Sequence, residues 1–415
     1  MSGVAIVNQL IFVYNLAIFG AVSAASIFGA QYYGKGNHRG HMYSFRFKLY
    51  AALLVTGLTI LLFLTCGDNL ISLYLTDTAG NGATDVALGY GLQYLGIMVV
   101  GLVPFAVNQA YATNIKETGQ TMVPMVASFV AVGSNALLDY LLIFGIGPFP
   151  ELGVAGAALG TALAEVVVAV IMCACLLRSP MLGLRRDEKL HFVPEQLKRA
   201  VRLGIPVAIE QAVMSGGQIV TTGIIAPLGT VSIAANSFAV TAEALCYMPG
   251  YGVQSAAVTL IGQSVGAKRR DLVTRLGWVT VLLGVSIMAA MSAAMYFLAP
   301  WIIGILSPDA EVVALGTEVL RIVVFAEPLF GAAIVCAGVF QGAGSSLLSS
   351  VLNFTSMWGV RITLTLLLTS RLGLRGAWIA MCVELCFRGL LFLFCLWRRV
   401  WLPKDLRGTP ASTEN

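Results

Sequence analysis

Charged side chains are scarce in this 415-residue chain, and histidine is scarcer still. Only 11% of the residues are charged, whereas 58% are hydrophobic and the mean hydropathy is +0.85. This composition excludes an ordinary soluble globular domain and indicates an integral membrane protein. The three histidines, His38, His41 and His191, are predicted to lie in loops as solvated side chains. They form no cluster of ligands, so no metal site is expected.

The sequence also lacks the features of a secreted or catalytic protein. Its eight cysteines fall inside or at the ends of apolar stretches, where a thiol behaves as a small hydrophobe, and a disulfide framework is not expected. The first apolar stretch is too long for a cleavable signal peptide and has no basic flank. No nucleophile and base occur together in an apolar segment, so neither an enzyme nor a cofactor is expected.

Long apolar stretches make up most of the chain. Crossing the hydrocarbon core of a bilayer takes about 20 apolar residues in a helix. The sequence therefore predicts an all-α membrane protein with about 11 transmembrane helices. The predicted spans are 3–31, 47–66, 86–111, 122–145, 154–177, 200–226, 232–261, 274–300, 313–338, 347–370 and 377–397.

Basic residues concentrate in alternate connections between these spans. Twenty of the 25 Lys and Arg residues lie in five segments, whereas the opposite loops contain only Arg371 and Arg375. This bias predicts that the five segments are cytoplasmic, which places the carboxyl terminus inside, and it needs no nucleic-acid partner. The five segments are 32–48, 112–121, 178–202, 263–275 and 398–415.

The stretch GAQYYGKG, residues 29–36, resembles a phosphate-binding loop in its spacing of Gly, four residues, Gly and Lys. Such a loop follows a strand, opens a helix and ends in Ser or Thr, which binds magnesium. Here Gly36 follows Lys35, and the stretch closes a long apolar helix instead. We therefore interpret it as a helix end capped by glycine and followed by basic residues.

A second copy of this region begins 232 residues later. GAVSAASIFGAQYYG (20–34) aligns with GVQSAAVTLIGQSVG (252–266), and LGVAGAALGTALAE (152–165) resembles LGLRGAWIAMCVEL (372–385). The chain is thus predicted to be a duplicated unit. The helix predicted at 200–226 has no counterpart in the first copy, which gives five plus six helices and suggests that a first helix is missing.

An even number of helices per unit predicts parallel repeats, of the kind that form two bundles around a cleft in several transporters. The predicted domains are an amino-terminal bundle, a cytoplasmic linker, a carboxyl-terminal six-helix bundle and a cytoplasmic tail. Their bounds are 1–177, 178–199, 200–397 and 398–415.

Polar side chains inside the spans recur at helical spacing. A buried carboxylate costs at least about 2.5 kcal/mol at mid-membrane, so such residues are candidates for a cavity. Spacings of three, four and seven residues return side chains to one helix face. The three predicted stripes are Ser128, Asn135 and Asp139; Glu210, Met214 and Gln218, with Gln211 at the border; and Asn236, Glu243 and Tyr247.

Each stripe has a structural alternative. Asp139 lies near a loop and is equally consistent with a hydrated interfacial carboxylate. Glu384 and Arg388, four residues apart, are interpreted as a structural ion pair, and Glu318 with Arg321 in the same way. Arg361 has no evident local partner. Four prolines within predicted spans indicate kinks in those helices. The kinks either act as bending points during motion or are static and only shape the packing. The prolines are Pro104, Pro206, Pro249 and Pro328.

Four segments together resemble the multidrug and toxic compound extrusion (MATE) family, in the right order and across essentially the whole chain. They are NALLDYLLIFGIGPFPELGVAGAALGTALAE (135–165), RLGIPVAIEQ (202–211), MPGYGVQSAAVTLIGQSVGA (248–267) and LRIVVFAEPLFGAAIVCAGVFQGAG (320–344). The resemblance implies a V-shaped pair of six-helix bundles. It further implies a secondary antiporter that exports organic, often cationic, compounds in exchange for Na⁺ or H⁺.

By the same resemblance, Glu210 is the expected ligand for the cation or substrate, and Asn135 and Asp139 match the Asn and Asp pattern of the family's fifth helix. The full set of expected substrate- or cation-binding residues adds Gln211, Gln218, Asn236 and Glu243. The family's first helix commonly contributes an acidic residue to cation coupling, and this sequence is expected to begin after that helix. Either the start of the sequence is misassigned or part of the coupling site is missing.

Two other functions remain open. A flippase for lipid-linked saccharides would need a larger basic cavity than Arg321, Arg361 and Arg388 offer. A truncated paralogue without transport activity is the other alternative. The expected partners are small organic substrates and membrane lipid but not nucleic acid. We expect a monomer in the cell membrane, with Na⁺ or H⁺ as the coupling ion.

Overall fold

The structure, a computed structural model, is built of helices and describes residues 2–72, 81–146, 148–178, 194–403 and 406. The helices are α1 (Ser2–Gly34), α2 (His38–Ser72), α3 (Asn81–Glu117), α4 (Met122–Phe144), α5 (Val154–Arg178), α6 (Pro194–Ile225), α7 (Thr230–Gly266), α8 (Arg270–Leu306), α9 (Ala310–Val323), α10 (Glu327–Gly342), α11 (Ser346–Phe354), α12 (Ile362–Leu372) and α13 (Leu374–Trp397). A π-helical segment, Thr355–Arg361, joins α11 to α12.

Within the described residues, nine helical spans are long and apolar enough to cross a membrane, and α9 with α10 makes a tenth if the pair counts as one span. Large apolar side chains such as Leu58, Leu64 and Val132 lie exposed on these helices, as expected for surfaces that face lipid. The prediction of a multi-pass, all-α membrane protein is thus confirmed. Over the part of α6 that the structure describes, this helix is not among the spans.

The chain divides into two compact units, a first unit at 1–204 and a second unit at 205–415. In the first unit, α1 packs on α2 and α3, and α5 packs on α3 and α4. In the second unit, α7 packs on α8 and α10, and α13 packs on α10 and α12 in the same pattern. The duplication predicted from the sequence is therefore present in the packing. The predicted linker at 178–199 lies mostly outside the described residues.

The turns that follow α1 and α7 have the same backbone hydrogen bonds. After α1, the amide of residue 35 donates to the carbonyl oxygen of residue 31, that of residue 36 to residue 33 and that of residue 37 to residue 32. The same three hydrogen bonds recur 232 residues later, after α7. Gly36 and Lys268 occupy the same place with φ of 68° and 57°, and a positive φ is uncommon for a lysine. This confirms that GAQYYGKG is a helix end.

One helix contact pairs a glycine with a larger residue in both units, but the glycine lies on the opposite helix of the pair in the second unit. In the first unit, a methyl group on Gly29 of α1 would overlap the carboxylate of Glu117 of α3. Gly119 and Gly344, both with φ of 85°, align α3 with α10 and place Gly342 at the position of Glu117. There, a methyl on Gly342 would crowd the backbone of α7 and the Cβ of Ile261, which aligns with Gly29.

Helix α2 begins at His38, nine residues before the predicted start at 47, and the prediction of a loop at 32–48 is wrong over this part. Lys48 is fully buried and donates to Glu117, which is also buried. His41 is a buried residue rather than a solvated loop residue, and its Nδ1 lies 3.0 Å from the carbonyl oxygen of Gly29. The sequence alone suggests a loop here because the buried partner of Lys48, Glu117, lies on α3 and is distant in sequence.

Prolines shape several helices. Pro104, Pro206 and Pro249 lie inside α3, α6 and α7, as predicted. Pro328 instead starts a new helix, because the predicted span 313–338 is broken between Val323 and Glu327. The axes of α9 and α10 differ by 58° across this break. A proline is well suited to the first turn of a helix, where its missing N–H has no intrahelical partner to lose.

Candidate functional site

Two carboxylates meet in the interior of the second unit. Glu243 of α7 is 2% exposed and Glu327, the first residue of α10, is completely buried. Their carboxyl groups are near enough to interact electrostatically, and neither oxygen of Glu327 has a hydrogen-bond partner among the residues that the structure describes. The break before α10 places Glu327 there, because α9 and α10 change direction just before it. Sequence reasoning missed Glu327, although a carboxylate near the middle of the predicted span 313–338 was a usable signal.

A buried ion pair also lies in the interior of the second unit. Arg388 donates from Nε to the Oε1 of Glu384 at 2.7 Å, one helical turn away on α13. The hydroxyl of Ser356, in the π-helical segment, donates to the same oxygen. The sequence interpretation of Glu384 and Arg388 as a pair is therefore confirmed. The corresponding interpretation of Glu318 with Arg321 is wrong, because Glu318 pairs with Arg375 of α13 at 2.8 Å.

Arg361 ends the π-helical segment and is only 5% exposed. Its Nη2 lies 2.8 Å from the sulfur of Met381, and its Nε has no hydrogen-bond partner among the residues that the structure describes. The guanidinium interacts electrostatically with the carboxylates of Glu384 and Glu243. The sequence could not supply these partners because they come from α13 and α7.

Glu210 of α6 is held by two donors from α11. The hydroxyl of Ser350 donates to Oε2 at 2.8 Å, and the amide of Asn353 donates to Oε1. Ser350 also lies 3.1 Å from the carbonyl oxygen of Pro206, one turn before Glu210. Arg388 adds a favourable electrostatic interaction with Glu210. The candidates taken from the sequence include Glu210 but neither donor, although Ser346, Ser350 and Asn353 recur at helical spacing on α11 and were a usable signal.

A cavity of about 420 Å³ opens within the second unit. It lies between the end of α6, the start of α7 and the start of α13, and Arg361 contributes to its wall. Two of the predicted site residues, Gln218 and Asn236, line it. The indole N–H of Trp378 donates to the Oδ1 of Asn236 at 3.0 Å and fixes one wall of the cavity.

The seven predicted site residues therefore fall into separate groups. Glu210, Gln211, Gln218, Asn236 and Glu243 belong to the second unit, where Gln218 and Asn236 share the cavity. Gln211 is partly exposed on α6 and does not line that cavity.

The other two predicted residues, Asn135 and Asp139, pack against α5 in the first unit. The amide of Asn135 lies 3.3 Å from the hydroxyl of Thr161. A methyl group on Gly160 would overlap the Oδ1 of Asp139, so this carboxylate lies close against α5. The two residues thus lie where α4 packs on α5 in the first unit.

Five charged side chains are thus buried in the interior of the second unit, three acidic and two basic, and Glu210 is half-buried. The buried acidic residues are Glu243, Glu327 and Glu384, and the basic ones are Arg361 and Arg388. Burying charge is costly unless it is paired, and carboxylates outnumber guanidinium groups here. The arrangement can therefore accept cations.

The chain is similar in sequence to a known protein family and to several known proteins. A family model described as MatE matches residues 1–141 and 206–367. A relative in Thermotoga maritima named "Probable multidrug resistance protein NorM" is 26% identical over 409 residues, which are 97% of this chain and 85% of the relative. A relative of the same name in Streptococcus pneumoniae is 25% identical over 425 residues, which are 99% of this chain and 89% of the relative.

Solved structures share the fold. One described as "Outward-facing conformation of a multidrug resistance MATE family transporter of the MOP superfamily" superposes with a TM-score of 0.85 at 19% identity. That likeness covers 98% of this chain and 89% of the solved chain. At this level of identity the likeness concerns the fold and not the site.

Proposed function

Because this chain belongs to the MatE family, we propose that it is a secondary active multidrug efflux antiporter, which exports organic cationic compounds in exchange for a coupling cation. The surplus of buried carboxylates over guanidinium groups in the second unit is the observation that carries the proposal. The bias of Lys and Arg supports a place in the cell membrane with the carboxyl terminus in the cytoplasm.

Of Na⁺ and H⁺, the electrostatic interaction between the buried carboxylates of Glu243 and Glu327 favours H⁺. Two carboxylates held close together repel each other when both are ionised, so a pair of this kind is stable when it shares a proton. The carboxylates are buried, which strengthens the repulsion. A proton that enters or leaves this pair changes the charge of the interior by one unit without any other ligand.

Exchange then follows from competition for the same negative charge. A cationic compound binds well when the carboxylates are ionised and poorly when they are protonated. Coupling requires only that the proton and the compound bind differently to the two conformations that alternate during transport. Glu210 supplies a further carboxylate in the same unit, held in place by Ser350 and Asn353.

The proton prediction can be tested with purified protein in proteoliposomes. An imposed pH difference is expected to drive transport of a cationic fluorescent dye, whereas an imposed Na⁺ difference at equal pH on both sides is not. Glu243→Gln and Glu327→Gln are each expected to reduce the pH-driven rate by about tenfold, as for the loss of a charged interaction worth about 1.4 kcal/mol.

A matched control is Glu311→Gln, which changes an exposed carboxylate at the start of α9 and is expected to leave the rate unchanged. Transport driven by the Na⁺ difference alone would show that the assignment of H⁺ is wrong. Failure of both gradients to move the dye in the unmodified protein would contradict the antiporter proposal itself.

A further inference from the structure

Basic side chains greatly outnumber acidic ones at the end of the second unit where α7 and α13 stop. Residues 267–276, which include the turn between α7 and α8, and residues 398–403, after α13, together contain six Lys or Arg residues and one acidic residue. That acidic residue, Asp271, pairs with Arg269 at 2.9 Å. Six basic groups against one acidic group leave these two segments with a net charge of +5.

A buried tryptophan brings the two segments together. Trp401 is 1% exposed, and its ring stacks on Phe340 of α10 with the ring centroids 5.9 Å apart. A methyl group on Gly277 of α8 would lie 3.7 Å from the indole ring, and Val273 of α8 belongs to the same buried apolar cluster. The hydroxyl of Ser345 donates to the carbonyl oxygen of Trp401 at 2.8 Å. The chain after α13 is therefore fastened against the beginning of α8, so that like charges are held near one another.

Two of the basic residues adopt a backbone conformation that is unfavourable for them. Among the non-glycine residues that the structure describes, only Lys268 and Arg399 have a positive φ, of 57° and 56°. Each follows the end of a helix, where glycine adopts this conformation without steric cost, as Gly36 does at the position aligned with Lys268. Strain that is retained at a specific residue points to a use for its side chain. Here both side chains are basic and both belong to the charged segments.

Exposed aromatic side chains lie beside these charges. Trp278 of α8, one turn after Arg275, is 39% exposed, and Trp397 at the end of α13 is 65% exposed. The guanidinium group of Arg398 lies over the ring of Phe394, which is also exposed. Tryptophan near the end of a membrane helix is typical of the level of the lipid headgroups. The aromatic residues therefore place the basic side chains at the depth of lipid phosphates.

We propose that this end of the second unit binds the headgroup of an anionic phospholipid, with Lys268, Arg275 and Arg399 as its ligands. All three side chains are exposed, and none forms an ion pair with a residue in the described part of the chain. Like charges held near one another repel, and a phosphate that accepts from them offsets that repulsion. Clusters of this size beside a membrane helix are typical of the recognition of anionic lipid. The proposal is independent of the export function, because it concerns the surface of the unit.

The test compares lipids that differ in charge. Phosphatidylglycerol or phosphatidylcholine is titrated into the detergent-solubilised full chain, and the rise in melting temperature gives an apparent affinity. Phosphatidylglycerol is expected to bind on the order of a hundredfold more tightly, since each Lys or Arg near the headgroup contributes about fivefold. Added salt is expected to reduce this preference. Glycerol 3-phosphate has the same phosphate chemistry without acyl chains, and it is expected to have no effect at the same concentration.

The decisive variant is Lys268→Gly combined with Arg399→Gly. Glycine relieves the backbone strain at both positions, so the melting temperature in phosphatidylcholine is expected to stay the same or rise. The affinity for phosphatidylglycerol is expected to fall about thirtyfold, as for the loss of two basic groups. Arg275→Gln leaves the backbone unaltered and is expected to lose about fivefold, which keeps the test valid if the double variant fails to fold. The control is Arg371→Gln, which changes an exposed arginine at the end of α12 and is expected to leave the affinity unchanged.

Four results would overturn the proposal. The first is an equal affinity for the two lipids, and the second is an unchanged affinity for phosphatidylglycerol in both the double variant and Arg275→Gln. The third is an equal loss in Arg371→Gln, which would show that net charge alone sets the affinity. The fourth is a stabilisation by glycerol 3-phosphate as large as that by the lipid, which would identify a site for soluble phosphate compounds instead.

Discussion

Efflux of a cationic dye is expected to fall by at least about tenfold when Glu210 is replaced by Gln, because a charged contact of about 1.4 kcal/mol or more is lost. In the native protein, each oxygen of this carboxylate accepts a hydrogen bond, one from Ser350 and one from Asn353. Gln has only one acceptor oxygen, and its amide nitrogen would face a donor. The variant therefore loses both the negative charge and one of the two hydrogen bonds that position it.

The measurement is the initial rate of dye efflux from proteoliposomes, normalised to the amount of folded protein. Glu318→Gln is a suitable control, since it removes an exposed carboxylate that pairs with Arg375. Its rate is expected to stay within about twofold of the unmodified protein, as exposed ion pairs contribute little. An unchanged rate in Glu210→Gln would remove this residue from the mechanism.

Replacing Lys48 with Met is expected to destabilise the protein by about 3–5 kcal/mol, the usual cost of removing one partner from a buried ion pair. Lys48 is 0% exposed and Glu117 is 1% exposed, and Lys48 donates to the Glu117 carboxylate. Without Lys48, the buried carboxylate of Glu117 would lose an ion pair at the contact between α1, α2 and α3, where the Nδ1 of His41 lies 3.8 Å from its Oε2. The expected readout is a lower melting temperature of the detergent-solubilised protein.

The double variant Lys48→Met with Glu117→Gln is expected to recover most of the lost stability, because a buried ion pair can often be replaced by neutral residues at little cost. The second unit supports this expectation, since its aligned positions are the uncharged Thr280 and Gly342. Lys35→Met, at an exposed position, serves as the control. Equal melting temperatures for the single variant and this control would contradict the prediction.

Much of the fold could be predicted from the sequence because duplication shows directly in the residues. Gly34 aligns with Gly266, and α1 and α7 end at these two residues, a few residues beyond the ends of the predicted spans at 31 and 261. The two turns that follow share their hydrogen bonds. Helix ends of this type depend on neighbouring residues, which a single sequence contains. The pairing of Glu384 with Arg388 was predictable for the same reason, since one helical turn separates them.

The parts that could not be predicted depend on residues distant in sequence. Lys48 was assigned to a loop because a charge indicates solvent unless its partner is known, and that partner is 69 residues away. Arg361 and Glu243 come from different helices, as do Glu210 and the two donors that hold it. Periodicity within one helix shows which residues share a face but not which helix lies opposite that face.

The reversed contact between Gly29 with Glu117 and Ile261 with Gly342 has a consequence for the evolution of a duplicated gene. Recombination between the two copies that exchanged only one helix would set an isoleucine against a glutamate, or two glycines against each other. The first product would be overfilled and the second would leave a void, and either is destabilising. Gene conversion at this locus is therefore tolerated only when both helices are exchanged together, which favours continued divergence of the two copies.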